Sequence, residues 1–215
     1  MMIENGSDLY QTVTFPRVTG YLPYFETDEA TSSSYTIDVK NVTSDIIYTV
    51  WYKPAIVEYH VNHYQQNVLD DEYELYTTTY HEGYTGDPVA RGRELVLAMD
   101  GFNPLFVDDS VCIAADGSTE INIYYDRQYY LVLFDLDGGY GVDPVFVRHG
   151  AMISVNQPTR AGYVFRGWEL IEYAGNTPTA EEEAACNVIN SSSLTVPTAN
   201  LKFRAKWETT DTTYT

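Results

Sequence analysis

The chain has 215 residues and carries 31 acidic against 12 basic side chains, a formal charge of −19. A surface that negative repels phosphate backbones and anionic headgroups, which argues against nucleic-acid binding and against electrostatic docking on membranes. Hydrophobic residues make up 44%, enough for folded cores, and 20 tyrosines favour pleated, half-exposed strands.

The length allows one large domain or two to three small ones. No apolar run reaches the roughly 18 residues of a membrane span. The opening Met1-Met2-Ile3-Glu4-Asn5-Gly6 lacks the basic start and apolar core of a secretory leader. A surface protein would therefore be represented here by an expressed, monomeric piece of something longer.

In chain order, a two-part pattern recurs three times. Its first part is a glycine-led aromatic hook, Gly20-Tyr21-Leu22-Pro23-Tyr24-Phe25. Its second part is an alternating strand over residues 46–52, entered from the polar turn Thr43-Ser44-Asp45. Lys53-Pro54 then marks a junction, because proline cannot donate to a ladder. Only 19 residues precede Gly20, so the first module is read as starting part-way, with an ill-ordered amino-terminal end.

The middle module opens with an alternating strand over residues 57–64, a polar turn over 65–71 and a second strand over 73–80, together a hairpin. The hook returns as Gly101-Phe102-Asn103-Pro104-Leu105-Phe106, and the alternating strand as Glu120-Ile121-Asn122-Ile123-Tyr124-Tyr125 after Asp116-Gly117-Ser118-Thr119. A second junction falls at Asp126-Arg127-Gln128. Both junctions are short, which favours a semi-rigid row of modules over flexible tethers.

The third module opens with Tyr129-Tyr130-Leu131-Val132-Leu133-Phe134, and Gly138-Gly139 signals a hairpin returning through residues 145–148. Residues 159–162 are a short helix candidate. The looser third hook is Gly162-Tyr163-Val164-Phe165-Arg166-Gly167-Trp168. Residues 179–189 form the better helix candidate, with Thr179 as cap, Glu182 completing a capping box and acidic residues at the positive helix end. In the last strand Leu201, Phe203, Ala205 and Trp207 share one face, and Lys202, Arg204 and Lys206 the other. The leading aromatics Tyr21, Phe102 and Tyr163, with Trp168, are expected in module cores, and residues 209–215 read as a linker.

Residues 128–208 resemble the Listeria–Bacteroides repeat, the B-repeat type of internalin-like proteins. The resemblance rests on the run from Val132 to Gly139, the run from Pro158 to Trp168 and the run from Leu201 to Trp207, which keep the family's order. Residues 55–127 resemble a mucin-binding-protein (MucBP-like) module, carried by the run from Val57 to Asn67 and by Asp116-Gly117-Ser118-Thr119 through Tyr124-Tyr125. Residues 1–54 resemble the back half of the same module. The departure is the stretch of residues 170–193, longer than the usual spacer, which predicts a decorated edge. The resemblance implies an α+β, mostly β class, with tandem small β-grasp-like modules in an elongated row. It implies an extracellular, Gram-positive cell-surface or cell-wall parent, with stalk, spacer or adhesive roles rather than catalysis. The expected partners are host glycans or surface proteins.

Sites of chemistry are sparse. His60 and His63 differ by an odd number along a strand, so they point to opposite faces and cannot share a metal. Asp135, Asp137, Asp108 and Asp109 lack the spaced oxygens of a calcium loop. No nucleophile elbow or phosphate loop occurs, so no catalytic residues, no metal and no cofactor are assigned. Cys112 and Cys186 fall in different modules and are read as unpaired, small buried or semi-buried residues. The one binding candidate is the run of tyrosines Tyr73, Tyr76, Tyr80 and Tyr84, whose rings offer flat faces to sugars or peptides.

Overall fold

A computed structural model describes residues 11–26, 31–32, 34–39, 46–89, 92–105, 111–175, 177–186 and 193–210. The fold is mostly β, built from several small sheets. Contacts divide the chain into two compact units: residues 1–62, 77–96 and 106–122, and residues 63–76, 97–105 and 123–215. The expected ends at residues 1–10 and 211–215, and the turn at residues 43–45, lie outside the described residues.

In the first unit, β1 (Gln11–Thr14), β2 (Tyr21–Glu26), β3 (Thr31–Ser32), β4 (Thr36–Val39) and β5 (Trp51–Pro54) make two small antiparallel sheets, β1-β4 and β3-β2-β5. Val13, Phe15, Phe25 and Val39 bury together, with Phe15 and Phe25 edge to face at 5.0 Å. The alternating strand expected over residues 46–52 is realised only at its end. Ile46, Tyr48 and Val50 pack on this core from an irregular segment, and pairing extends through Pro54, which sits opposite Tyr21. A strand terminus in a marginal sheet tolerates the missing N–H.

Four further strands, β6 (Ile56–Gln66), β7 (Tyr73–Tyr84), β8 (Phe102–Pro104) and β9 (Glu120–Arg127), form a sheet of order β7-β6-β9-β8, accompanied by the one-turn helix α1 (Gly92–Leu95). Alternation decides the faces: Tyr59, Val61 and His63 of β6 and Ile121, Ile123 and Tyr125 of β9 are buried. Asn67 N–H to Glu72 O at 2.8 Å closes the expected hairpin. At its other end Thr85 N–H reaches Ala55 O at 3.0 Å.

In the second unit, β10 (Tyr129–Asp135), β11 (Val145–Arg148), β12 (Met152–Ser154), β13 (Tyr163–Gly175), α2 (Ala180–Ala185), β14 (Ser193–Thr195) and β15 (Ala199–Thr209) follow. A mixed sheet of order β11-β10-β15-β13 holds β10 and β15 parallel, while β12 and β14 pair separately. Val132, Trp168, Leu194, Val196, Leu201, Phe203 and Ala205 form its core, together with the buried Cys186 just after α2. The last strand keeps the expected alternation, with Leu201, Phe203 and Ala205 buried.

β13 does not alternate cleanly. Register shifts at Arg166 and Ile171 let Phe165, Trp168, Leu170 and Tyr173 face Trp207, Ala205, Phe203 and Leu201 in turn. Thr179 precedes α2 as expected, and residues 187–192 of the long spacer lie outside the described residues. The helix proposed over residues 159–162 is instead a bridge from Thr159 to Tyr140 followed by a turn. Three residues ahead of a positive-φ glycine are too few to nucleate a helix. The tight turn after β10 centres on Asp137 and Gly138, both with positive φ, rather than on Gly138-Gly139.

The three hooks share one hydrogen-bonded geometry. Gly20, Gly101 and Gly162 have φ of 72°, 78° and 77°, respectively. In each, the following aromatic donates its N–H three residues back: Tyr21 to Val18, Phe102 to Met99 and Tyr163 to Arg160. In each, the hook strand pairs antiparallel with the alternating strand: β2 with β5, β8 with β9, β13 with β15. In each, the glycine carbonyl accepts the N–H of the residue beyond that strand: Ala55 at 2.8 Å, Gln128 at 2.8 Å and Thr210 at 3.1 Å. The leading aromatics are not core, contrary to expectation. Tyr21 and Phe102 are half-buried and Tyr163 is exposed beneath the Arg160 guanidinium, while Trp168 is buried. Each leading ring sits opposite the last residue of its partner strand, Pro54, Arg127 and Thr209 in turn, at the margin of its sheet.

The space beside the three glycines differs. A Cβ on Gly20 would lie 2.6 Å from the Ala115 Cα, one on Gly101 would lie 2.5 Å from the His149 ring, and one on Gly162 meets nothing within 4 Å. Gly162→Ala should therefore cost only the positive-φ penalty, about 1 kcal/mol. Gly20→Ala and Gly101→Ala add a steric overlap and should cost about 2–4 kcal/mol each. Urea unfolding of the three variants measures this ranking.

Candidate functional site

The tyrosine run lies on β7, the outer strand of its sheet. Tyr76, Tyr80 and Tyr84 are 58%, 68% and 52% exposed. Tyr73 is engaged by the fold instead. Its hydroxyl donates to the Asp126 carboxylate, and its ring stands edge-on to Tyr124 at 5.1 Å, which in turn stacks on Tyr64 at 5.1 Å. The hydrogen bond to Asp126, then burial and the Asp126 and Asp71 charges, push the Tyr73 pKa up to about 12.

Around Tyr80, in the first unit, the open face of the sheet is polar. Asn62 Nδ2 donates to Glu120 Oε1 at 2.9 Å and to Asn122 Oδ1 at 3.2 Å, and Thr78 Oγ1 donates to Asn62 Oδ1 at 2.7 Å. His60 Nε2 lies 3.3 Å from Glu120 Oε2, with its ring 6.4 Å from that of Tyr80. Both Asn62 N–H groups and its carbonyl are thus used inside the array, which fixes a flat polar platform beside an exposed ring.

Tyr84 borders an open groove of about 430 Å3, floored by Ile56, Tyr59, Pro88 and Ile113 and edged by Glu82 and Asp87. Gly83 makes room for it, since a Cβ there would fall 2.4 Å from Ile113 Cδ1. The groove unites three chain segments. Its one local signal is a glycine inside a strand, which marks close approach of another group.

In the second unit, a cluster of arginines ties residues 66–71, 101–103 and 127–130 to the turn after β11. Arg127 Nε donates to Gln66 O at 2.6 Å and Nη1 to His149 O at 3.2 Å, while the guanidinium lies 4.7 Å over the Phe102 ring. Burial first, and the Arg148 charge second, lower the Arg127 pKa. Arg148 pairs with Asp71 and bonds Asp70 O, and the Asp71 hydrogen bond raises its pKa. Gln128 O accepts the His149 N–H at 2.8 Å, Gln128 Nε2 donates to Asn103 Oδ1 at 2.8 Å, and Gln128 Oε1 accepts from the Tyr130 hydroxyl at 2.6 Å. No sequence motif flags this cluster, because its members become neighbours only through the sheets.

His60 and His63 point to opposite faces, as their spacing requires. His63 is buried, with Nδ1 2.9 Å from the Tyr125 hydroxyl, while that hydroxyl accepts the Leu97 N–H at 2.9 Å. Asp135 takes the Arg204 Nε–H at 3.0 Å from the paired strand β15, which lowers its pKa, and Asp137 lies 3.3 Å from Arg160, so both carboxylates face arginines. Asp108 and Asp109 lie outside the described residues. Cys112 is exposed rather than semi-buried, because its bridge to Pro88 sits at the surface, and Cys186 is buried. Among the described residues no group of His, Cys, Asp and Glu is arranged to hold a metal, and no helix is long and apolar enough to cross a membrane. Comparison of the chain with protein-family models, with curated proteins and with solved structures finds no match.

Asp126→Asn removes both the charge and the strong acceptor that hold the Tyr73 proton. The Tyr73 pKa should fall from about 12 towards the ordinary 10. The folded-state pKa is raised, so the stability that this bond contributes is complete below pH 10 and is lost as pH rises through about 12. Ultraviolet titration of phenolate, compared between the wild type and the variant, reads the shift directly.

Proposed function

We propose that the chain is a non-catalytic array of small modules from a bacterial cell-surface protein, with residues 1–54, 55–127 and 128–208 as successive modules and a spacer or stalk role. The observation that carries this reading is the junction chemistry. At Ala55 and at Gln128 the chain leaves one alternating strand and is at once hydrogen-bonded to the preceding hook glycine. At the second junction the Arg127 and Arg148 cluster adds contacts from both sides of the connection. Such a junction resists bending, which a spacer needs and a flexible tether lacks. The net charge of −19 favours a solvated, non-associating surface. The resemblance of the segments to MucBP-like and internalin B-repeat modules supports the extracellular, Gram-positive assignment and the β-grasp-like reading of the mixed sheet.

Small-angle scattering tests the spacer. A compact chain of this length has a radius of gyration of about 17 Å. An elongated array gives a clearly larger value and an extended pair-distance tail, whereas a value at the compact limit removes the proposal.

A second reading, adhesion through exposed tyrosines, draws on Tyr80 beside its polar platform. An aromatic face with neighbouring acids and amides is sugar-binding chemistry. On a glycan array and in a mucin pull-down, the wild type should bind and Tyr80→Ala should lose about tenfold in affinity. Signal no higher than that of a scrambled control would remove this reading.

A further inference from the structure

The backbone of β7 is as informative as its side chains. β7 is outermost in its sheet, and among the described residues no strand pairs on its far side. The Thr85 N–H points inward to Ala55 O. By alternation, Gly83, His81 and Thr79 turn their ladder groups towards β6, and Glu82, Tyr80 and Thr78 turn theirs outward.

Among the described residues, three other edge strands of the four-stranded sheets are blunted. β13 is broken by register shifts at Arg166 and Ile171. β8 has three residues and ends in Pro104, and β11 has four. Residues 77–84 contain no proline, lysine or arginine, the residues that ordinarily guard an edge. A long edge whose one carboxylate over residues 77–84 is Glu82 suits strand addition. The groove of Ile56, Pro88 and Ile113 adjoins its end and offers a place for an apolar side chain, with Glu82 and Asp87 at the rim to attract a cation.

We propose that the outer edge of β7 at residues 78–82 takes up an extended peptide segment of a partner protein, one that alternates apolar and basic residues. The apolar side chains meet the groove and the basic ones meet the acidic rim. A second copy of this chain is the poorer occupant, since two molecules of charge −19 repel. The inference uses backbone pairing, and it stands apart from both the spacer and the ring-stacking readings.

The test is nuclear magnetic resonance on the full chain with a blocked peptide of alternating lysine and valine. Saturable shifts should centre on the amides of Thr78, Tyr80 and Glu82. The same peptide N-methylated at alternate residues, and a glutamate–valine peptide, should each bind at least about tenfold more weakly. Tyr80→Pro deletes an outward N–H at an edge that tolerates proline, and Glu82→Lys reverses the rim charge. Each should weaken binding about tenfold with the circular dichroism spectrum retained. If Tyr80→Pro does not fold, Glu82→Lys carries the test alone. The proposal is overturned by absence of shifts at millimolar peptide, by shifts centred elsewhere, or by equal binding of the N-methylated peptide. Concentration-dependent dimerisation through β7, seen in sedimentation, would replace the peptide by a second copy and overturn it equally.

Discussion

Three of the sheets depend on one arrangement: a glycine with positive φ whose carbonyl closes the end of the strand paired with its own. Gly20, Gly101 and Gly162 each do two things with one residue. The left-handed turn aims the hook strand back along its partner, and the freed carbonyl catches the N–H just past the partner's end. Sheets of two to four strands have little apolar area with which to hold their margins. Closing the last rung by a hydrogen bond to the turn removes the frayed end where such a sheet would open first.

Much of this was legible in the sequence because glycine and alternation are local signals. The hook glycines, the hairpin of β6 and β7 and the buried face of β15 follow from turn chemistry and period-2 patterning alone. The leading hook aromatics were misjudged, since a ring beside a glycine says nothing of how many layers lie above it. Tyr163 ends on the surface beneath Arg160, while Trp168, five residues on, is core. Residues 46–50 alternate as a strand would but pack on the core of Phe25 and Val39 with pairing confined to a bridge at Ile47, so burial rather than a ladder sustains the pattern.

The candidate surfaces were legible only in part. Exposure of Tyr76, Tyr80 and Tyr84 follows from their spacing along one strand, but the capture of Tyr73 by Asp126 and Tyr124 needs residues about fifty positions away. The Asn62 platform, the groove beside Tyr84 and the arginine cluster share that character. Each is assembled across strands whose sequence separation hides the partnership, and each relies on ordinary residues that carry no motif.

The two register shifts in β13 have a consequence for how this sheet can change. One extra residue at Arg166 swaps the sides of everything downstream, and a second at Ile171 swaps them back. The inward spacing of Phe165, Trp168, Leu170 and Tyr173 then mimics a helical period within a strand. Flattening the first bulge with its residue kept would turn Trp168 and Leu170 out to water, and flattening the second alone would turn out Tyr173, whereas deleting an extra residue would leave every paired partner in place. Each bulge is thus a place where this strand can lose one residue and keep its inward face, so length variation here is free to come one residue at a time.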